Sequence, residues 1–475
     1  MKRILLAGIV LMSEFIFAQT PCTNGLAGIF PCNKIDLQAN LNFSQIGGDT
    51  STKGSGCWGW TDPLTNKEYA IMGCTTHTAI VDITVPHAPV YLGKINSTNN
   101  TSSIWREVNV YNNYLYIVSE ASGHGMQIFN LTRLRGVTTP QVFTPDGRYT
   151  GFGSCHTVAI NATSGYAYCN GSNTYGGGPH VISLQNPLAP TLSFGYAAQG
   201  YTHDAQIVTY DGPDTDYTGH EIFIGANGRE NKVVILDVTN KSNPVLISTF
   251  TYPNASYTHQ GWFTADKKYW MLGDEMDEVD LGFNSKTIII DMTDLNNPVL
   301  KGNYFGPTKA IEHNGYVVGN DYFLANYTAG IRIINTSNIT ATGTMNEIGY
   351  FDTYPSNDSA AFDGVWNIYP FFPSGNIIMS DISRGLFIVK KNTVLSNDDF
   401  EKNAIGIYPN PTDNQVRISY EKGIKLIEVF DLLGKKVKEI SNLEVQEYSF
   451  EVSNLDSGIY LIRINNEISK KLIVK

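Results

Sequence analysis

The chain has 475 residues, too many for one ordinary core and enough for a large domain with an appendage. Charged residues are only 16%, aromatics 12%, with 44 Gly and 27 Tyr, the profile of a turn-rich all-β protein. A net charge of −11, with no Lys/Arg cluster before the last 75 residues, argues against a nucleic-acid partner, because phosphate binding needs a concentrated basic face.

Residues 1–18 predict a signal peptide. Lys2 and Arg3 form its charged start, 4–12 its apolar run, and Ala18 is the small residue before Gln19. Ser13 and Glu14 break the run before it can span a bilayer, and no later stretch predicts a transmembrane segment. Export makes disulfides the default for the six cysteines. Cys22 and Cys32 would close an N-terminal loop. Cys57 with Cys74, and Cys155 with Cys169, fall on successive strands of two predicted hairpins, so three bridges are expected, with free buried thiols the alternative.

A repeat then runs through the chain. Tyr201-Thr202-His203-Asp204 returns as Tyr257-Thr258-His259-Gln260, with relatives at Ser154-Cys155-His156-Thr157 and Glu312-His313-Asn314-Gly315. With the His as phase marker, Trp58, Arg106, His156, His203, His259, His313 and Gly364 mark seven units at intervals of 47 to 56 residues. Such a period with four strands per unit predicts a seven-bladed β-propeller of four-stranded antiparallel blades over 19–391. In the fourth unit the strands read as 204–210, 221–226, 232–238 and 244–252. The third strand recurs best, as TAIVDIT at 78–84, KVVILDVT at 232–239 and KTIIIDMT at 286–293. Its near-continuous Ile and Val suit a strand covered on both faces. The Asp or Asn near its end (Asp82, Asn130, Asp237, Asp291, Asn335) is expected to cap the following turn rather than to catalyse. The seventh unit supplies only 366–369, 376–380 and 385–390. The alternating stretch 39–46 is therefore expected to close the ring as its outer strand, hiding two edges.

Residues 35–391 resemble the choice-of-anchor B family, whose members carry LVIVD repeats. The resemblance rests on GHGMQIFNLTRLR at 123–135, YTHDAQIVTYDGPDTDYTGHE at 201–221, YTHQGWFTADKKYWMLGDEMDE at 257–278 and IEHNGYV at 311–317. It implies an extracellular domain and brings no established activity. After a polar, acidic linker at 392–403, residues 404–475 predict a small β-sandwich. Ile407-Tyr408-Pro409-Asn410-Pro411-Thr412 opens it, a hairpin with Gly434 at its turn spans 426–440, and 455–464 and 470–475 close it. This tail resembles the type A C-terminal sorting domain of type IX secretion. That resemblance implies handling by the type IX machinery and delivery to the outer cell surface or the medium.

First strands line the channel of a propeller, so His156, His203, His259 and His313 are expected to converge at one mouth, flanked by Arg106 and Trp58. Glu107, Asp204, Glu312 and Asp363 stand beside these positions. Imidazoles with carboxylate neighbours suit a divalent transition metal; the competing reading is that each His ties its strand to neighbouring backbone. Glu107, Asp204 or Glu312 would be the general base if the site were catalytic. His124, between two glycines, stands out among the remaining histidines. Two acidic loops offer oxygen ligands for calcium: Asp211, Asp214, Asp216 and Glu221, then Asp274, Glu275, Asp277, Glu278 and Asp280. Neither follows an EF-hand pattern. No G-x-S-x-G, P-loop or dinucleotide fingerprint occurs. The sequence favours a binding module whose partner docks on the histidine face beside Trp58, Trp60, Trp105 and Trp262. A metal-dependent enzyme and a structural surface protein are the alternatives.

Overall fold

The computed structural model describes residues 19–392, 405–431, 434–465 and 468–475. The predicted signal peptide, and the predicted linker beyond Asn392, lie outside the described residues. The chain divides into two compact units, 1–392 and 393–475.

The described part of the first unit holds seven sheets in chain order, each beginning with four antiparallel strands or completed to four. Their innermost strands are Gly54–Thr61, Arg106–Tyr111, Thr157–Asn161, Asp204–Thr209, Thr258–Phe263, Gly315–Val318 and Val365–Tyr369. We number the blades 1 to 7 in that order. Inner strands of neighbouring blades touch around a ring, which closes where Val365–Tyr369 of blade 7 meets Gly54–Thr61 of blade 1. Blade 1 gains a parallel fifth strand, Gln141–Phe143, and blade 6 an outer hairpin, Leu26–Ala27 with Phe30–Asn33.

The core lies between blades, which explains the apolar third strands. Ile222, Ile224, Val233 and Ile235 of blade 4 pack on Phe263, Trp270, Leu272, Ile288 and Ile290 of blade 5. Both faces of each third strand are covered, so no polar alternation survives. Where the strand leaves the core, its Asp or Asn turns back. The side-chain oxygens of Asp82, Asn130, Asp237, Asp291 and Asn335 accept from the backbone N–H two residues on, at 2.9 to 3.1 Å. These five are turn caps, as their spacing suggested.

Blade 7 takes its fourth strand from the N-terminus, at Ile35–Leu41 rather than 39–46. Ile35 faces Lys391 and Leu41 faces Leu386 in an antiparallel pair. The alternation of Leu41 and Phe43 fits a strand, but Asn42 is a helix N-cap. Its side chain accepts from Gln45 N–H, Gln45 reciprocates, and Phe43–Ile46 becomes a short 3-10 helix burying Phe43 and Ile46.

The cysteine pairing needs correction. Cys22 and Cys32 are bridged, whereas Cys57, Cys74, Cys155 and Cys169 are free, buried thiols. For Cys57 and Cys74, register explains this. A bulge between Gly54 and Cys57 sets Cys57 opposite Met72 and Cys74 opposite Gly54. Cys155 precedes its strand, its thiol directed at the carbonyls of Thr157 and Asn170, and it lies beside the Cys169 thiol without a bridge. Burial pushes the Cys74 thiol up to about 12 and the Cys57 thiol higher, so neither is a nucleophile at neutral pH.

The second unit is two sheets around one core. Ile405–Tyr408, Gln415–Ile424 and Val445–Glu451 form one; Lys436–Ile440, Ile427–Phe430, Gly458–Ile464 and Ile468–Val474 form the other. Val416, Ile418, Ile427, Val429, Ile462 and Leu472 are buried between them. Ile427–Phe430 pairs with Lys436–Ile440, and Gly434 supplies the left-handed backbone (φ +81°) that their turn requires.

Candidate functional site

Each repeated His sits where its blade meets the channel. His156 precedes Thr157–Asn161, His203 precedes Asp204–Thr209, His259 is the second residue of Thr258–Phe263, and His313 lies two residues before Gly315–Val318. The backbone N–H of His156, His203 and His313 bonds to the second strand of its own blade or the residue after it, at Asn170, Ala226 and Ala325. The side chains project inward as an arc of tilted rings. Ring centroids are 4.2 Å apart for His156–His203, 4.1 Å for His203–His259 and 4.3 Å for His259–His313.

Neighbouring blades set the tautomers. His203 Nδ1 lies 3.0 Å from the carbonyl oxygen of His259, and His313 Nδ1 bonds the carbonyl of Trp366. A carbonyl only accepts, so each Nδ1 carries the proton and each Nε2 keeps its lone pair. Among the described residues neither ring nitrogen of His259 completes a hydrogen bond. His156 differs: its Nδ1 is 2.6 Å from Glu120 Oε1. Glu275 enters the same space, its oxygens 3.4 Å from His313 Nε2 and 3.7 Å from His259 Nε2. Donor atoms of His203, His259 and Glu275 lie within 4.8 Å of one another, the one such set among the described residues.

The histidine repeat does not mark Glu275 or Glu120 as channel residues. Glu275 read as part of an acidic loop. Each follows directly on a second strand, Tyr269–Asp274 or Tyr114–Ser119. In an antiparallel hairpin the end of the second strand lies beside the start of the first, at the same mouth. That adjacency was the available signal.

Burial dominates the electrostatics. It drives His203 and His259 well below the ordinary imidazole range and His313 to about 3, so these rings are neutral at physiological pH. Burial also raises Glu275 to about 7 and Asp204 to about 6. Glu107 is raised further by burial and by Asp204 beside it.

Other expected residues fall elsewhere. Glu107 and Asp204 line both the mouth and a lower chamber of about 320 Å³. Arg106 lines the mouth, but its guanidinium turns between blades 1 and 2. Nε donates to the Cys74 carbonyl at 2.9 Å and Nη1 to His124 Nε2 at 3.0 Å, which makes His124 a structural partner. Trp58 sits in the lower chamber, because its strand begins four residues earlier and carries a bulge; its ring meets Tyr369 and Tyr316. Glu312 points away from the channel, accepting from the Thr287 hydroxyl at 2.7 Å near Glu278. Asp363 caps a turn through Gly364 N–H and the Ser383 hydroxyl. Trp60 is buried against Tyr69, Trp262 lines the lower chamber, and Trp105, 46% exposed, stands at the rim.

The acidic loops do not assemble calcium ligands. Asp211 pairs with Lys267, Asp214 accepts from Leu295 N–H, Asp216 is exposed, and Glu221 accepts from Tyr168 and Lys241. In the second loop Asp274 accepts from Tyr252, Ser256 and Tyr257, while Asp277 pairs with Lys286 and Asp280 with Ser256. Glu278 accepts from Lys286 N–H at 3.2 Å.

The polar groups of the lower chamber are engaged in bracing neighbouring blades. Asn109 donates to the Val158 carbonyl, and Gln206 accepts from Phe263 N–H. Gln260 bonds both backbone groups of Gly315, and Asn367 donates to the Cys57 carbonyl. Among the described channel residues, the buried polar atoms left without a partner belong to Glu107 and His259 at the histidine end and to the Arg106 guanidinium between blades 1 and 2.

Residues 406–475 match the family described as secretion system C-terminal sorting domain, and 227–251 match the LVIVD repeat. The ulvan lyase NLR42 of Nonlabens ulvanivorans is 34% identical over 89 residues, 18% of this chain and 17% of the lyase. Among solved structures, PorZ, a surface component of the type IX secretion system of Porphyromonas gingivalis, superposes with a TM-score of 0.46 at 11% identity. That match covers 86% of this chain and 58% of PorZ. The C-terminal WD40 domain of Sif2 superposes with a TM-score of 0.47 at 10% identity, covering 75% of this chain and 98% of that domain. The chain thus spans less than a fifth of the lyase and under two thirds of PorZ. The sorting domain and the repeat define a secreted surface β-propeller handled by type IX secretion and delivered to the cell surface or extracellular space. No described helix is long and apolar enough to cross a membrane.

Proposed function

We propose that this propeller, of the choice-of-anchor B type, is a surface-displayed binding module that takes its ligand at the histidine-lined mouth of its channel. The observation that carries this reading is the distribution of hydrogen-bonding capacity. Buried polar groups are costly without partners. In the channel, such groups are left open at the mouth on Glu107 and His259, while the amides below brace the fold. Trp105 and Trp366 supply aromatic surface beside them.

The test is a screen of the exported protein against saccharide and peptide arrays, repeated with Trp105→Ala and Glu107→Gln. The reading expects retention of one ligand class, weakened at least about tenfold by either change, the effect of about 1.4 kcal/mol. Retention untouched by both changes would place binding elsewhere. A second reading, a metal-dependent enzyme, draws on Asp204, whose burial-raised carboxyl could exchange protons near neutral pH. It requires turnover of the retained ligand that Asp204→Asn abolishes.

A further inference from the structure

We infer that His203, His259, His313 and Glu275 form a binding site for one borderline divalent transition-metal ion of the zinc class at the channel mouth. This rests on the reading of the mouth as the binding site and adds what organises it. The set differs from the four-histidine ring that the repeat suggests: His156 is replaced by a carboxylate from a second strand.

Four observations carry the inference. One ligand atom each of His203, His259 (1% exposed) and Glu275 lies within 4.8 Å of the others, and His313 reaches this set through Glu275, its Nε2 3.4 Å from Oε1. Tautomers of His203 and His313 are fixed by Nδ1–H bonds to backbone carbonyls, the arrangement that orients metal-binding imidazoles and makes their Nε2 more basic. Neither ring nitrogen of His259 has a hydrogen-bond partner among the described residues, which leaves its Nε2 free for a ligand. Finally, Glu275 is held by the Tyr327 hydroxyl at 2.9 Å and otherwise faces imidazole nitrogens. A cation between them satisfies the carboxylate and the lone pairs together.

The donor set selects the ion. Three imidazole nitrogens and one carboxylate suit zinc and its first-row neighbours, whereas calcium and magnesium require mostly oxygen ligands. A tetrahedral site with bonds of about 2.1 Å places its donors about 3.4 Å apart. His313 Nε2 and Glu275 Oε1 are already 3.4 Å apart, and His259 Nε2 and Glu275 Oε2 3.7 Å. His156 packs at a tilt against His203 and is held by Glu120, so it walls the site on the remaining side.

The exported protein, purified without chelator or affinity metal, is titrated with Zn²⁺ and with Co²⁺, whose visible absorption reports tetrahedral coordination. The expected result is one ion per chain. His203→Ala with His259→Ala should abolish uptake, and Glu275→Gln should weaken it by more than about tenfold. His87→Ala, an exposed histidine in blade 1, should change nothing. Should the double variant fail to fold, the near-isosteric Glu275→Gln, checked by circular dichroism, decides alone. A parent that takes up neither ion, or a Glu275→Gln variant that binds like the parent, overturns the inference. Ligand retention by metal-free parent, sensitive to Trp105→Ala, would leave the binding reading standing while the metal fell. Metal uptake with retention insensitive to Trp105→Ala and Glu107→Gln would do the reverse.

Discussion

His77, His124 and His180 are buried away from the mouth, and burial holds each imidazole down at about 4. The unfolded chain protonates them near about 6.5. Between these values the unfolded state binds more protons, so stability falls as pH falls, by up to about 1.4 kcal/mol per pH unit for each group. Asp352, raised to about 6 by burial, has the opposite sign, its contribution being lost as pH rises. Comparing parent with variant isolates one group. Urea unfolding from pH 6.5 to 5 should show a shallower loss for His180→Gln, whose parent ring bonds the hydroxyls of Tyr149 and Thr174. Parallel slopes would mean His180 is already charged in the folded state. The turn caps predict a smaller effect: Asp291→Ala should cost about 1 kcal/mol through the lost Thr293 bonds. The caps were legible because they depend on local spacing. Glu275 was not, because its role depends on strand pairing.

At the scale of elements, the third strands and four of the seven channel positions could be read directly, since Ile/Val runs and a repeated His survive divergence between blades. Blades 1 and 7 resisted because they lack the His: blade 1 starts its strand early, with a bulge between Gly54 and Cys57, and in blade 7 the bulge residue Trp366 takes the place that His259 holds between Thr258 and Gln260 in blade 5. Trp58 therefore falls below the ring, and Trp366 rather than Gly364 receives His313. The same offset separates Cys57 from Cys74. Closure gives a test of pairing. Removing 35–41 should uncover the edge of Gly385–Lys391 and lower soluble yield, measured as the monomer fraction by size exclusion. A truncated chain as monomeric as its parent would contradict the role of this strand. Trp270→Ala, between blades 4 and 5, should cost about 3–5 kcal/mol in denaturant unfolding.

For the whole molecule, the two units have separate tasks. The sorting domain predicts that deleting 405–475 leaves the propeller folded but retained in the periplasm, as scored by fractionation; normal surface or medium levels would contradict it. The binding role proposed for the propeller turns on the mouth, where blades 2 to 7 bring together side chains that lie far apart along the chain. The most direct measurement is anomalous diffraction at the zinc edge from crystals of the exported protein grown with Zn²⁺. The account predicts one peak per chain, bounded by His203, His259, His313 and Glu275. A zinc-soaked crystal with no peak at that point, or with zinc only on surface side chains, would contradict it.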